Sequence, residues 1–270
     1  MPDIKRAGLF AEMRPRHCSG GFFPPSPPEL HPSCARLTEP TPNPDLLRAL
    51  GRVARGLSCL FWGLPLALIV CLLGVQTDMF IRYGIMPPMI ATGLLLLGVW
   101  LLGSFQEQER IWIAAQSRAF ILAMLLFGLS PFLYWSGRTV NGIGAEIQTL
   151  QEIYFAVAAL LFHLCALGFL GSVNTVVARL GAMLPDETLR LESRSFARLN
   201  HCLLWITLVV AALIYKLGQA PGFSSDFPNL RDVVVQNPEW FTLPFLLLAV
   251  AMTMALLWKT KEVILEMSGP

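Results

Sequence analysis

Charged residues divide the chain into long apolar runs. Gly56–Thr77 holds 22 residues without a charge, Tyr83–Gln106 24, Ala119–Gly137 19, Ile153–Ala178 26, Leu199–Tyr215 17 and Trp240–Trp258 19. A helix crosses the hydrocarbon core of a bilayer with about 20 apolar residues, in a range of roughly 17–25. The core offers backbone groups no water, so segments of this kind form helices. The pattern therefore predicts an all-α polytopic membrane bundle of six transmembrane helices, with spans near 56–77, 83–106, 119–137, 153–178, 199–215 and 240–258. The fifth run is the shortest, and Lys216 can snorkel at its end.

The basic residues between the runs give the orientation. With the N-terminus inside, the inner side holds Arg48, Arg52, Arg55, Arg110, Arg118, Arg179, Arg190, Arg194, Arg198, Lys259 and Lys261, and the outer side holds Arg82, Arg138, Lys216 and Arg231. Eleven against four predicts an N-in, C-in topology. Trp135, Tyr154, Tyr215 and Trp240 then fall at outer span ends and Trp258 at an inner one. Amphipathic rings favour the headgroup level.

Composition agrees with the pattern. The chain is 54% hydrophobic and 14% charged, with a mean hydropathy of +0.58, where soluble domains carry roughly 25% charged residues. A net charge of +2 supplies no field for nucleic acid, so no nucleic-acid partner is expected. Six cysteines are too few for a disulfide scaffold.

Residues 1–47 differ from the rest. They hold ten of the twenty prolines, densest in the run from Phe23 to Pro32. Proline removes an amide donor and breaks regular helix, so a disordered cytoplasmic arm is expected. No apolar h-region or small-residue cleavage site precedes Arg48, so the arm does not read as a secretory signal. Cys18 and His31 have twelve residues between them, an interval found in zinc fingers. His17 adjoins Cys18, however, and prolines fill the stretch where a finger needs its helix. No metal and no cofactor is expected.

Two basic rows stand out. Arg190, Arg194 and Arg198 recur every four residues in the inner connection 179–198, where Pro185 and Asp186 mark a helix start. Arg48, Arg52 and Arg55 form a similar row before the first span. Beyond fixing topology, such rows suit anionic lipid headgroups or an acidic partner, at about 1 kcal/mol for each basic residue near the surface. The outer connections 138–152 and 216–239 are polar, with a short interfacial helix expected around Leu230–Val235.

Inside the membrane, ionisable side chains are costly and draw functional attention. His163 lies eleven residues from Glu152, about 16 Å down the fourth span at 1.5 Å per residue. His201 opens the fifth span at headgroup level. The two differ in depth by about 10 Å or more, too far apart to share one haem iron. His163 alone is the candidate for a single ligand to a haem or pigment, and a neutral imidazole bonded to a neighbouring helix, at Thr207, Thr253 or a backbone carbonyl, is the ordinary alternative. Ser130, eight residues from Arg138, lies about 12 Å below the outer surface, within about one turn of His163 in depth.

Phe127-Gly128-Leu129-Ser130-Pro131, with Ala159, His163, Gly168 and Gly171 on the next span, resembles the rhomboid intramembrane proteases. That resemblance implies a six-helix core in which Ser130 attacks a peptide carbonyl and His163 takes its proton. The chain departs from the family in three ways. Pro131 stands where the family has a second glycine, the Trp-Arg motif of the first outer loop is absent, and serine and histidine sit on consecutive spans. Signatures of zinc proteases and of nucleotide-binding loops are missing, and the spans hold no carboxylate.

Pro65, Pro131 and Pro244 can kink three spans, as a transporter's midplane site would need. Ion-coupled carriers usually place carboxylates in the membrane, so a neutral-solute or lipid pathway is the form a transporter here would take. The expectation that follows is a non-enzymatic structural, assembly or accessory subunit that packs with other membrane proteins. A small-solute or lipid transporter or channel, and a serine intramembrane hydrolase using Ser130 and His163, are the alternatives. Sixteen arginines against four lysines hint at a GC-rich bacterial genome and hence the bacterial inner membrane.

Overall fold

A computed structural model describes residues 44–76, 83–103, 110–140, 150–184, 186–219 and 239–268. Six helices account for nearly all of them: α1 (Pro44–Gln76), α2 (Met86–Gly103), α3 (Arg110–Val140), α4 (Leu150–Met183), α5 (Glu187–Gln219) and α6 (Glu239–Ser268). No strand occurs among the described residues. All six helices are long and apolar enough to cross a membrane, and the fold is an all-α polytopic membrane bundle.

The charge-free runs locate the helices but not their ends. The connection expected over 179–198 is helix almost throughout, since α4 runs to Met183 and α5 begins at Glu187. Arg190, Arg194 and Arg198 therefore belong to the same continuous helix as the fifth span. The arm expected over 1–47 lies outside the described residues except for 44–47, which form the first turn of α1. Pro44 occupies the first helical position, where a missing amide hydrogen costs nothing and a fixed φ helps. The expected interfacial helix around Leu230–Val235 also lies outside the described residues.

Local chemistry accounts for the other helix starts. Asp186 sits just before α5, and its Oδ1 accepts from the Thr188 amide at 2.9 Å and from the Thr188 hydroxyl at 2.7 Å. That is an N-cap, which satisfies one of the orphan donors of the first turn. The Thr188 hydroxyl, with the Leu189 and Thr188 amides and nearby Lys259, holds the Asp186 carboxyl below its ordinary value against the opposing effect of desolvation. Ahead of α2, Gly84 takes a positive φ of 65°, a conformation in which L side chains are strained. Pro87 and Pro88 then occupy the first turn of α2, where proline is tolerated.

The helices pack in chain order around the bundle, and α6 closes against α1 while also meeting α4. Leu50, Val53, Ala54, Leu57, Leu60 and Leu64 form the buried stripe of α1, at the three-and-four spacing of one helix face. Arg48, Arg52 and Arg55 lie exposed on the other side. Gly56 and Gly98 let α1 and α2 approach closely. A Cβ on Gly56 would lie 2.9 Å from the Gly98 carbonyl oxygen, and one on Gly98 would lie 3.1 Å from that of Gly56. Small residues at a crossing are how membrane helices gain packing contact without a hydrophobic drive.

The interior contains Leu57, Leu102, Trp112, Phe169, Leu180 and Leu257, all less than 2% exposed. In the most apolar 18 residues of each helix only 22–39% are buried. Much of the remainder is exposed and apolar, a surface larger than soluble monomers tolerate and of the kind a bilayer covers.

Candidate functional site

Ser130 lies on α3 one residue before Pro131. Proline has no amide hydrogen, so the Phe127 carbonyl loses its normal helical donor. The Ser130 hydroxyl takes that place and donates to the Phe127 oxygen at 2.8 Å. The residue is 0% exposed. His163 is on the exposed face of α4. Its Nδ1 lies 2.7 Å from the Ala159 carbonyl oxygen, an acceptor only, so Nδ1 carries the proton. Among the described residues no hydrogen bond joins Ser130 to His163. The nucleophile–base contact that the rhomboid resemblance implies is therefore not made. The histidine's carbonyl partner comes from its own helix, not from a neighbouring one, and Thr207 and Thr253 bond elsewhere.

The deepest polar cluster joins three helices. Asn174 on α4, Asn200 on α5 and Thr253 on α6 are at most 1% exposed. The Thr253 hydroxyl accepts from Asn200 Nδ2 at 2.7 Å and from Asn174 Nδ2 at 3.1 Å. Its own proton goes to the Ala249 carbonyl at 2.8 Å or to Asn174 Oδ1 at 3.3 Å. Asn174 Nδ2 also reaches the Leu170 carbonyl at 2.8 Å. One hydroxyl thus has both lone pairs and its hydrogen in use, while Asn200 Oδ1 has no partner among the described residues. The cluster contains no ionisable group, and its chemistry is that of a clamp.

A second polar region lies where α4 and α5 meet at their Arg-rich ends. Arg179, Arg194, Arg198 and His201 line a cleft of about 550 Å³ together with Thr175. A neighbouring groove of about 370 Å³ shares Thr175 and His201 and continues past Gly171 and Gly168 to Leu164 and Leu208. His201 Nδ1 lies 2.6 Å from the Ala197 carbonyl oxygen, which leaves Nε2 facing Gly171 and the shared stretch. Arg198 Nε donates weakly to the Arg194 carbonyl at 3.4 Å. No carboxylate pairs with Arg179, Arg194 or Arg198 among the described residues. Glu192 is engaged elsewhere, in an ion pair with Lys259 that ties α5 to α6.

The two basic rows divide in the structure. Arg194 and Arg198 enter the cleft and Arg190 does not. Arg52 lines a separate cleft of about 520 Å³ with Gln116, whose amide nitrogen approaches the Val99 carbonyl at 3.4 Å. Arg55 bonds its own helix at the Gly51 carbonyl, 3.3 Å away. Arg48 is exposed at the start of α1. None of these three clefts is lined by Pro65, Pro131, Pro244 or His163.

Sequence reasoning treats Arg179 only as a topological charge and His201 only as a headgroup-level residue. Their convergence with Arg194 and Arg198 depends on the α4–α5 packing, which hydropathy does not report. No group of three His, Cys, Asp or Glu side chains converges among the described residues. Cys18 and His31 lie outside them. The chain matches no protein-family model, no curated protein and no solved structure.

Proposed function

We propose that the protein is a non-enzymatic integral membrane protein of the bacterial inner membrane, oriented N-in and C-in, that acts as a structural, assembly or accessory subunit beside other membrane proteins. The observation that carries this reading is the use made of the deepest polar side chains. Asn174, Asn200 and Thr253 bond one another across three helices, and Ser130 replaces the helix donor that Pro131 lacks. These groups hold the scaffold together and do not converge on a substrate-sized space. The apolar perimeter, with Trp100, Trp205, Leu160 and Leu213 among its exposed side chains, is available to lipid and to neighbouring helices.

Blue-native electrophoresis of gently solubilised native membranes tests the reading. The protein is expected to migrate within an assembly larger than its own micelle, and a co-migrating component is expected to fall in abundance when the gene is deleted. Migration alone, together with solute uptake by purified proteoliposomes, would replace this reading with transport.

A further inference from the structure

We propose that the α4–α5 groove binds one anionic phospholipid, with its phosphate among Arg179, Arg194 and Arg198 and an acyl chain along Gly171, Gly168 and Leu164. Three features converge on that ligand class. The first is charge. Among the described residues three guanidiniums without carboxylate partners surround one cleft, and only one of their donors, Arg198 Nε, is given to the backbone. Each guanidinium offers five donors in a planar fork that suits phosphate oxygens.

The second feature is continuity. The basic cleft and the apolar groove share Thr175 and His201, so one amphiphile can occupy both. Arg118 of α3 adds a further cation to the groove's wall. A free inorganic anion would use the cleft and leave the groove empty.

The third feature is length. From Arg179 to Leu164 along α4 is fifteen residues, and from Arg194 to Leu208 along the antiparallel α5 is fourteen. At 1.5 Å per residue both measure about 21–23 Å. Half of a bilayer, headgroups included, is also about 20–22 Å. The site thus has the depth of one leaflet, with its charged end at the Arg-rich face. The cleft at Arg52 has a single arginine and serves as an internal comparison.

The test uses the full-length protein in maltoside micelles, titrated with dioleoylphosphatidylglycerol or dioleoylphosphatidylcholine and read by native mass spectrometry. The wild type is expected to retain one phosphatidylglycerol in preference to phosphatidylcholine. The Arg179→Gln, Arg194→Gln, Arg198→Gln triple variant is expected to lose affinity by about tenfold or more. The matching Arg→Lys variant, which keeps the charge but not the planar fork, is expected to lose less affinity than the Gln variant and more than none. Gly168→Phe fills the groove without touching the cations and is expected to weaken binding as well. This arm still decides the matter if the triple variant does not fold. Arg48→Gln with Arg52→Gln is expected to change nothing. Equal retention of phosphatidylcholine, an equal loss in the Arg48/Arg52 variant, or full displacement of the lipid by inorganic phosphate would each overturn the proposal.

Discussion

Replacing Thr253 with valine keeps the shape of a fully buried side chain and removes one hydroxyl. That hydroxyl is the partner of both Asn200 Nδ2 and Asn174 Nδ2. Asn174 keeps its bond to the Leu170 carbonyl, whereas Asn200 is left with neither end of its amide paired. Interhelical hydrogen bonds in membrane proteins average about 0.6 kcal/mol by double-mutant cycles, so two lost bonds alone account for about 1.2 kcal/mol. A buried amide left without partners costs about 1–3 kcal/mol. Since Asn200 is 0% exposed, the expected loss lies in the upper part of that range, about 2–3 kcal/mol. Unfolding in mixed dodecyl maltoside and SDS micelles, followed by far-ultraviolet circular dichroism, measures it. Asn200→Leu should be destabilising in the wild type and much less so in the Thr253→Val background, because the orphaned amide is then gone. A Thr253→Val loss under about 0.5 kcal/mol, or an Asn200→Leu cost that is the same in both backgrounds, would refute the reasoning.

Four further outcomes follow from the same geometry. Ser130→Ala should cost about 0.5–1.5 kcal/mol by stripping the Phe127 carbonyl of its donor, and Pro131→Ala in that background should recover part of it by restoring an amide hydrogen; SDS titration of the pair checks this. A fluorophosphonate probe should leave Ser130 unlabelled, and labelling that disappears in Ser130→Ala would favour the hydrolase over the subunit. Gly98→Ala places a Cβ 2.8 Å from Leu60 Cγ and 3.1 Å from the Gly56 carbonyl oxygen, so overpacking should lower stability by about 1–3 kcal/mol in the same titration. The Asp186 cap, with its carboxyl held below the ordinary value, stabilises the fold fully above the unfolded aspartate pKa and loses that contribution as pH falls through the lowered folded value; Asp186→Ala should flatten that acid limb of stability against pH.

Much of the fold was legible because charge is excluded from the bilayer, and each of the six runs lies within a helix or overlaps one. The ends were harder to read. A charged residue marks where the membrane stops, but a helix continues through it, as α5 does through Arg198, Arg194 and Arg190 back to Glu187. The Asn174–Thr253–Asn200 cluster left little trace, since uncharged polar residues barely lower the hydropathy of an apolar window and their partners are 79 and 53 positions apart. The arginine row was only half informative. A four-residue step overshoots one helical turn by about 40°, so Arg190 and Arg198 diverge by about 80° and only part of the row reaches the cleft. Ser130 shows the reverse case. Pro131 was legible as a kink, and the local consequence is that the Ser130 hydroxyl bonds the Phe127 carbonyl that the proline leaves without a donor.

The uninterrupted length of α4 and α5 has a mechanical consequence. With 34 and 33 residues, each measures about 50 Å, some 20 Å more than the hydrocarbon core. The pair is a stiff lever joined at a tip of three residues, Leu184 to Asp186, between two helix ends. A change of about 10° in its tilt would sweep that tip through roughly 9 Å over such a length. Bilayer thinning or thickening, which membrane helices accommodate by tilting, would thus be magnified into a displacement at that tip.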